Sequence, residues 1–136
     1  MKHLLILSLL LSLAMAAVHG QDAKPSDSHS EEPKRIGAAE AEKYIDKTMI
    51  VTGKVAQVTI REKLVYLNLD KAFPDSPFTA VIFSRATNQF GDLKKLKDQN
   101  VEIRGKVEEY KEKPQIVLNS TNQLKVLESK TEGTKP

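Results

Sequence analysis

The sequence predicts an all-β domain built as a small closed barrel, and three observations indicate this fold class. The first is a β-rich run from Met49 to Ile60, whose apolar positions change parity near Gln57. Such a strand keeps one buried face only if a β-bulge absorbs the extra residue and bends the chain. The second is Gly53 in the middle of that run, and the third is Gly105, which occupies the equivalent place in a later run of similar sequence. Two curved strands of this kind indicate a sheet that coils and closes on itself.

Four further strands follow from the alternation of apolar and polar residues. The second strand, Leu64 to Asp70, alternates cleanly, so its apolar residues face one way while Tyr66 and Asn68 face the other. The third strand, Phe78 to Phe83, is apolar almost throughout, so alternation does not decide its inward face. The rest of the sheet is predicted as a fourth strand at Val101 to Tyr110, a fifth at Ile116 to Leu118 and a short closing segment at Leu124 to Leu127.

Two helical segments accompany the strands. The Ala- and Glu-rich run from Ala38 to Ile45 predicts a short N-terminal helix. Between the third and fourth strands, Ala86, Leu93 and Leu96 lie roughly on one helical face, although Gly91 is expected to break this run in two. In this position the segment would plug one end of the barrel.

The composition excludes several kinds of chemistry. The chain has no Cys, which rules out disulfides, zinc–thiolate sites and a cysteine nucleophile. Its three His residues, His3, His19 and His29, all precede the first periodic segment. The folded part therefore offers no histidine as a metal ligand or general base, and neither a metal nor a cofactor is predicted.

Residues 1–20 predict a secretory signal peptide. Met1 to His3 make a short basic start, and Leu4 to Leu13 form an apolar run that is too short for a membrane anchor, which needs about 20 apolar residues. Small residues place the cleavage site after Gly20, with Ala16 as a second candidate. The mature protein is therefore expected to be exported, periplasmic or extracellular, and to have no membrane span after cleavage.

Three segments follow the signal peptide. Residues 21–35 are polar and contain Pro and Ser, which predicts a flexible leader; residues 36–127 form the folded domain; residues 128–136 are expected to be a disordered tail. Residues 34–127 carry 17 Lys and Arg against 12 Asp and Glu, so the folded part is mildly basic. This balance permits a polyanionic partner without requiring one.

The order of strands and helices resembles the OB-fold, a five-stranded Greek-key barrel. More narrowly, the runs at 65–70 and 78–83, together with those at 101–107 and 114–118, resemble bacterial exported OB-fold nucleic-acid-binding domains, some of which are fused to nucleases. The resemblance covers residues 38–127. It implies a five-stranded barrel with a helix between strands three and four and a short N-terminal helix.

The OB-fold resemblance also places a candidate site. Loops after strands one and four of such barrels flank a ligand groove, whose floor is formed by strands two and three. Here the loops hold Arg61, Lys63, Lys111 and Lys113, and the floor would hold Tyr66 and Asn68. Cationic loops around a stacking ring suit single-stranded nucleic acid. The alternative is a pair of ordinary solvated hairpins, which Glu62 and Glu112 in the same loops favour.

The sequence also predicts where the aromatic side chains lie. Phe73, Phe78, Phe83 and Phe90 are predicted to lie in the core rather than to stack on a ligand. Tyr110 is compatible with either place.

Three hypotheses for function remain. The leading one is a non-catalytic, exported module that binds single-stranded DNA or RNA, or another extended polyanion. The alternative is a module for a protein or peptide partner in the cell envelope, bound at an exposed barrel edge. A nuclease-related enzyme is disfavoured, because no Cys or folded His is present and Asp70, Asp75 and Asp92 are scattered through turns.

Overall fold

The computed structural model of the protein describes residues 31–128, in which eight strands form one sheet. In chain order these are β1 (Arg35–Gly37), β2 (Thr48–Ile60), β3 (Leu64–Leu69), β4 (Phe78–Phe83), β5 (Asn100–Lys106), β6 (Glu108–Tyr110), β7 (Lys113–Val117) and β8 (Leu124–Leu127). Across the sheet the strands are ordered β6-β7-β4-β3-β2-β5-β8, and β1 pairs in parallel with β2. The mostly β character is confirmed, whereas the predicted number of five strands is not.

The bent strand β2 connects the two halves of the sheet. Its first half, from Thr48 to Lys54, pairs with β5, and its second half, from Val55 to Ile60, pairs with β3. The register shifts between Val55 and Gln57, so the predicted β-bulge is confirmed. Because the bulge reverses the parity of the strand, Val58 packs against the same core as Val55.

The core lies on one face of the sheet and follows the predicted alternation. The alternate apolar residues of β3 from Val65 to Leu69 are buried, and so are the alternate residues of β4 beginning with Phe78. Other strands contribute alternate apolar positions in the same way, and the large side chains with essentially no exposure are Phe78, Leu67, Leu69, Ile82, Ile103, Ile116, Leu118, Val51, Val55, Val101 and Val107. Polar residues at the intervening positions are left for the opposite face, where the candidate site lies.

The helical segments are shorter than the sequence suggests. The N-terminal segment is a 3₁₀ helix at Ala38–Tyr44, and a further 3₁₀ turn lies at Thr121–Gln123. Between β4 and β5 the chain forms helix α1 (Ser84–Thr87) and a 3₁₀ turn at Leu93–Leu96, separated by Gly91 with φ +66°. The predicted break at this glycine is confirmed, and the predicted apolar residues of both turns pack against the core.

The predicted fourth strand is divided into β5 and β6 at Val107. The Val107 N–H donates to the Lys47 carbonyl, and the Val107 carbonyl accepts from Asp46 N–H, at 2.9 and 2.7 Å. The backbone of Val107 is therefore bonded to the corner before β2 instead of to a neighbouring strand. Because these two bonds use both the N–H and the carbonyl of Val107, the ladder of β5 ends here and a new short strand begins.

The sheet is not closed by backbone pairing, which corrects the closed barrel predicted from the sequence. Of the predicted fourth strand, only the second half, β6, pairs with β7, whereas β5 pairs with β8 at Asn100–Ile103 and has no ladder with β7. Beyond β8, the strands approach at Gly105 and Ile116, where the Gln123 side chain bridges them. Within residues 31–128 the wall is thus barrel-like but is completed by a side chain.

Several predictions concern residues outside the described range. The signal peptide at 1–20, the leader as far as residue 30 and the tail from residue 129 lie there. Arg35, the last residue of the predicted leader, pairs with Ile50 as part of β1. No helix within residues 31–128 is long and apolar enough to cross a membrane.

Candidate nucleic-acid interface

A groove of about 460 Å³ lies on the face of the sheet opposite the core. Gln57, Asn68, Thr79 and Gln115 are cross-strand neighbours on β2, β3, β4 and β7 and form a polar row along its floor. Thr59 and Tyr66 are paired neighbours beside this row. The complete lining consists of Gln57, Thr59, Arg61, Tyr66, Asn68, Phe73, Thr79, Tyr110, Lys111, Lys113, Pro114 and Gln115.

The structure brings together five of the six residues predicted for the site. Arg61, Lys111 and Lys113 lie at the rim, and Tyr66 and Asn68 lie on the floor. Lys63 is exposed in the β2–β3 hairpin and is not part of the groove lining. Its backbone carbonyl accepts from Ser84 N–H at 2.9 Å, which joins the hairpin to helix α1.

Asn68 is a buried part of the floor, with 4% of its surface exposed. Its Nδ2 donates to Gln57 Oε1 at 2.9 Å, and its Oδ1 accepts from Thr79 Oγ1 at 2.8 Å. These bonds satisfy the side chain from both sides, as a buried amide requires. Asn68 therefore shapes the floor and is held in place by its neighbours.

Phe73 is exposed in the groove, which corrects its assignment to the core. It lies in the turn between β3 and β4 with 73% of its surface exposed. The strand positions on either side of the turn alternate into the core, but the turn itself projects beyond the sheet, so its ring has no core to enter. Phe83 is also exposed, at 36%, which corrects its assignment to the core as well, whereas Phe78 is buried and Phe90 is partly buried against the core.

Tyr110 supplies a second exposed ring, at the tip of the β6–β7 hairpin. It is 53% exposed, and Lys111 Nζ lies 5.4 Å from the centre of its ring. Lys111 and Glu112 have φ of 50° and 64°, the two positive values that a tight two-residue hairpin loop requires. This loop holds a cation beside an aromatic face, an arrangement that suits a ligand with both charge and rings.

Lys113 connects the hairpin to the turn that carries Phe73. Its Nζ donates to the carbonyl of Pro74 and, at 3.3 Å, to that of Ser76. Two of its three N–H groups are therefore directed at backbone of this turn. Lys113 adds positive charge to the groove, and it also holds the turn between β3 and β4 by these two hydrogen bonds, which the sequence does not reveal.

The groove is positive without compensation from its own lining. Three of the lining residues are cations, and none is Asp or Glu. Glu62 and Glu112, which favour ordinary solvated hairpins, belong to the same loops but not to the lining. In the folded protein Arg61, Lys111 and Lys113 of the two loops therefore line the groove, whereas the acidic residues of the same loops lie outside its lining.

A second cavity, of about 480 Å³, lies beside the β2–β3 hairpin and helix α1. Its lining includes Arg61 and Lys94 together with Glu62 and Asp92, so its charges are mixed. Asp92 is also committed to its own turn, since its Oδ1 accepts from Lys94 N–H at 3.1 Å. Within the part of the chain that the structure describes, no group of three or more His, Cys, Asp or Glu could hold a metal ion.

The sequence did not point to several groove residues, namely Gln57, Thr59, Phe73, Thr79 and Gln115, and it left Tyr110 open between the core and ligand stacking. Thr79 is the polar residue of the otherwise apolar strand β4, and Gln115 lies between the apolar residues Pro114 and Ile116 of β7. A polar residue between apolar ones can be recognised in the sequence, but it points to the groove only once the inward face of its strand is known. The parallel pairing of β4 with β7, which places these residues side by side, joins strands distant in the sequence and follows from no local pattern.

The comparison with solved structures concerns fold. An OBody bound to hen egg-white lysozyme is similar to this chain with a TM-score of 0.53 and 15% sequence identity, covering 69% of this chain and 93% of its own. At this identity the likeness is one of fold alone. It supports a β-barrel-like architecture of the OB-fold kind.

Two synthetases are also similar to parts of the chain. They are a putative aspartyl-tRNA synthetase from Leishmania major Friedlin, at 11% identity over 75% of this chain, and the aspartyl tRNA synthetase from Entamoeba histolytica, at 16% over 91%. Both have a TM-score of 0.49, and the matches span 22% and 28% of those chains. No protein-family model and no curated protein matches the sequence.

Proposed function

We propose that the protein is a non-catalytic module that binds single-stranded nucleic acid, or another extended polyanion, in the groove over β3 and β4. One observation supports this most directly: the lining combines three cations with three aromatic rings and contains no acidic side chain. The rings are Tyr66, Phe73 and Tyr110, and the latter two are largely exposed.

Each part of the lining matches one part of a single strand. Arg61, Lys111 and Lys113 would neutralise phosphates, while the rings would stack on bases, which contributes roughly 1–3 kcal/mol per base. Stacking requires unpaired bases, because the faces of paired bases are covered by their neighbours in the duplex. The groove therefore favours single strands, with little preference for sequence.

Titration at a series of salt concentrations tests this proposal. The wild-type protein should bind single-stranded DNA and RNA at about 50 mM salt more tightly than a duplex of equal length, and affinity should fall as salt rises, with a slope of about −0.7 per phosphate contact. Equal affinity for heparin and single strands would indicate a polyanion site without base stacking. Absence of binding to all of them would overturn the proposal.

A protein or peptide partner is the second candidate. The strand β6 stands at one end of the sheet order, and all three of its residues are exposed. A strand with a free edge can accept an extended peptide by backbone hydrogen bonds. The structurally similar OBody is described as bound to lysozyme, so that protein of this fold has a protein partner. Failure of both nucleic acids and heparin to bind would favour a protein or peptide partner.

Export is a separate proposal that the sequence of residues 1–20 supports. The basic start and the apolar run from Leu4 to Leu13 are typical of a cleaved signal. The intact mass of the mature protein from the periplasm or the medium should correspond to a chain that begins at Gln21. A chain that still begins at Met1 inside the cell would contradict export.

A further inference from the structure

We infer that Gln57 is a positioning residue, which holds the ring of Phe73 over the groove through a relay of side-chain amides. The inference rests on the proposed function, since the position of the ring matters only if a ligand stacks on it. The relay consists of Gln57, Asn68 and Thr79, together with the backbone N–H of Phe73.

The direction of every bond in the relay follows from one backbone group. Phe73 N–H can only donate, and it lies 3.0 Å from Gln57 Oε1, which must therefore be the oxygen of that amide. The group of Asn68 that meets the same oxygen at 2.9 Å must then be its NH₂. This leaves Asn68 Oδ1 to accept from Thr79 Oγ1 at 2.8 Å. The hydrogen bonds thus converge on Gln57 Oε1, from Thr79 through Asn68 on one side and from the turn on the other.

The bulge explains why Gln57 can reach the turn. Gln57 lies at the shift of register in β2, where the strand bends and re-aims its side chains. Its Oε1 accepts two bonds, one from the buried Asn68 and one from the exposed turn. Asn68 is buried and its amide is bonded at both ends, so it anchors Gln57 and, through Gln57, the exposed turn at Phe73.

Lys113 holds the same turn from the opposite side. Its Nζ donates to the carbonyls of Pro74 and Ser76, one and three residues beyond Phe73. The backbone around Phe73 is therefore tied both to β2 and to β7, while its ring remains 73% exposed. An exposed ring on a fixed backbone has less freedom to lose when a base stacks on it, which favours binding.

A double-mutant cycle on the full chain tests this inference. Phe73→Ala should weaken binding of a single-stranded DNA oligonucleotide by about 5- to 150-fold, the equivalent of one lost stacking contact. Gln57→Met, which keeps length but removes the acceptor, should weaken it by at least about twofold, with an unchanged salt slope because no phosphate contact is lost. In the Phe73→Ala background, Gln57→Met should have no further effect.

Controls separate positioning from a general loss of structure. Thr48→Val removes a hydroxyl from the exposed start of β2, outside the groove, so it should leave the affinity unchanged. Lys113→Gln releases the turn from the other side, and its effect should shrink in the Phe73→Ala background; an effect of full size there would show a phosphate contact instead. An equal effect of Gln57→Met in both backgrounds would overturn the inference.

Hydrogen exchange measures the relay without any ligand. The Phe73 amide should be protected in the wild type and in Gln57→Glu, which keeps an acceptor oxygen, and should exchange freely in Gln57→Met. Unchanged protection in Gln57→Met would overturn the positioning role. If the wild type binds no single strand while the amide behaves as expected, the proposed function falls and the relay stands as a structural device for the turn alone.

Discussion

Two glycines decide how closely neighbouring strands can approach. A Cβ at Gly53 would lie 2.8 Å from Asp70 Oδ1 and 3.0 Å from Leu69 Cδ2, and one at Gly105 would lie 2.7 Å from Ile116 Cγ2. Asp70 cannot easily move away, because the same oxygen accepts from Lys54 N–H at 3.0 Å. Both glycines are therefore required by close packing, as their mid-strand positions in the sequence suggest.

Substitution of either glycine should destabilise the fold. Gly53→Val and Gly105→Val are each expected to lower the free energy of unfolding by about 1–3 kcal/mol, the usual cost of overpacking. Gly37→Ala is the matched control, since a Cβ there meets nothing within 4 Å. Denaturant unfolding measures all three. A loss in the strand variants no larger than in Gly37→Ala would contradict this account of the close approach.

At the scale of single residues, the sequence predicts what depends on local pattern. The change in parity of the apolar positions along β2 indicates the bulge near Gln57. The alternation of apolar and polar residues places Tyr66 and Asn68 on the outer face of β3, where the structure has them. Phe73 escapes prediction because an aromatic residue in a turn has no periodicity to assign it to core or surface. The relay that fixes it joins residues 11 and 16 positions apart, which no local pattern reveals.

At the scale of elements, the Gln123 side chain bridges β5 and β7. Gln123 Nε2 donates to the carbonyls of Arg104 and Val117, at 3.0 and 3.3 Å. Its Oε1 accepts from the N–H groups of Asn119 and Ser120, at 2.8 and 3.1 Å. The amide therefore uses both ends to connect β5 with the chain after β7, where the two strands share no backbone ladder within residues 31–128.

Loss of this bridge should open the wall between β5 and β7. Gln123→Leu keeps most of the volume but leaves four backbone groups without their partner, so the free energy of unfolding should fall by about 1–3 kcal/mol. Asn122→Ala, at the exposed neighbouring position, is the control. Amide exchange of Asn119 and Ser120 should rise in Gln123→Leu alone. Equal stability of the two variants would show that packing, and not the bridge, holds the strands together.

The number and order of strands could be predicted only in part. The five long runs are marked by β-branched residues and alternation, and each becomes a strand or a pair of strands. The short strand β1 carries little pattern and pairs with the open edge of β2, whereas β8 coincides with the short closing segment predicted at Leu124 to Leu127. Pairing at an open edge depends on which segments the fold brings beside that edge, so the local sequence of a segment does not predict it.

At the scale of the whole molecule, the fold distributes the charged side chains unevenly over the surface. Residues 34–127 have a modest excess of 17 Lys and Arg over 12 Asp and Glu. The groove concentrates Arg61, Lys111 and Lys113 and excludes acids from its lining. Net charge alone could not locate a binding surface, because the sorting depends on which face each loop residue takes.

The most direct test of the groove compares two variants of equal net charge. Arg61→Gln with Lys111→Gln removes two cations from the groove, while Lys43→Gln with Lys125→Gln removes two exposed cations outside it. If the groove binds single-stranded DNA, the salt dependence of affinity should lose about 1.4 units of slope in the first variant and stay at the wild-type value in the second. The same loss of slope in both variants would contradict a binding site in this groove.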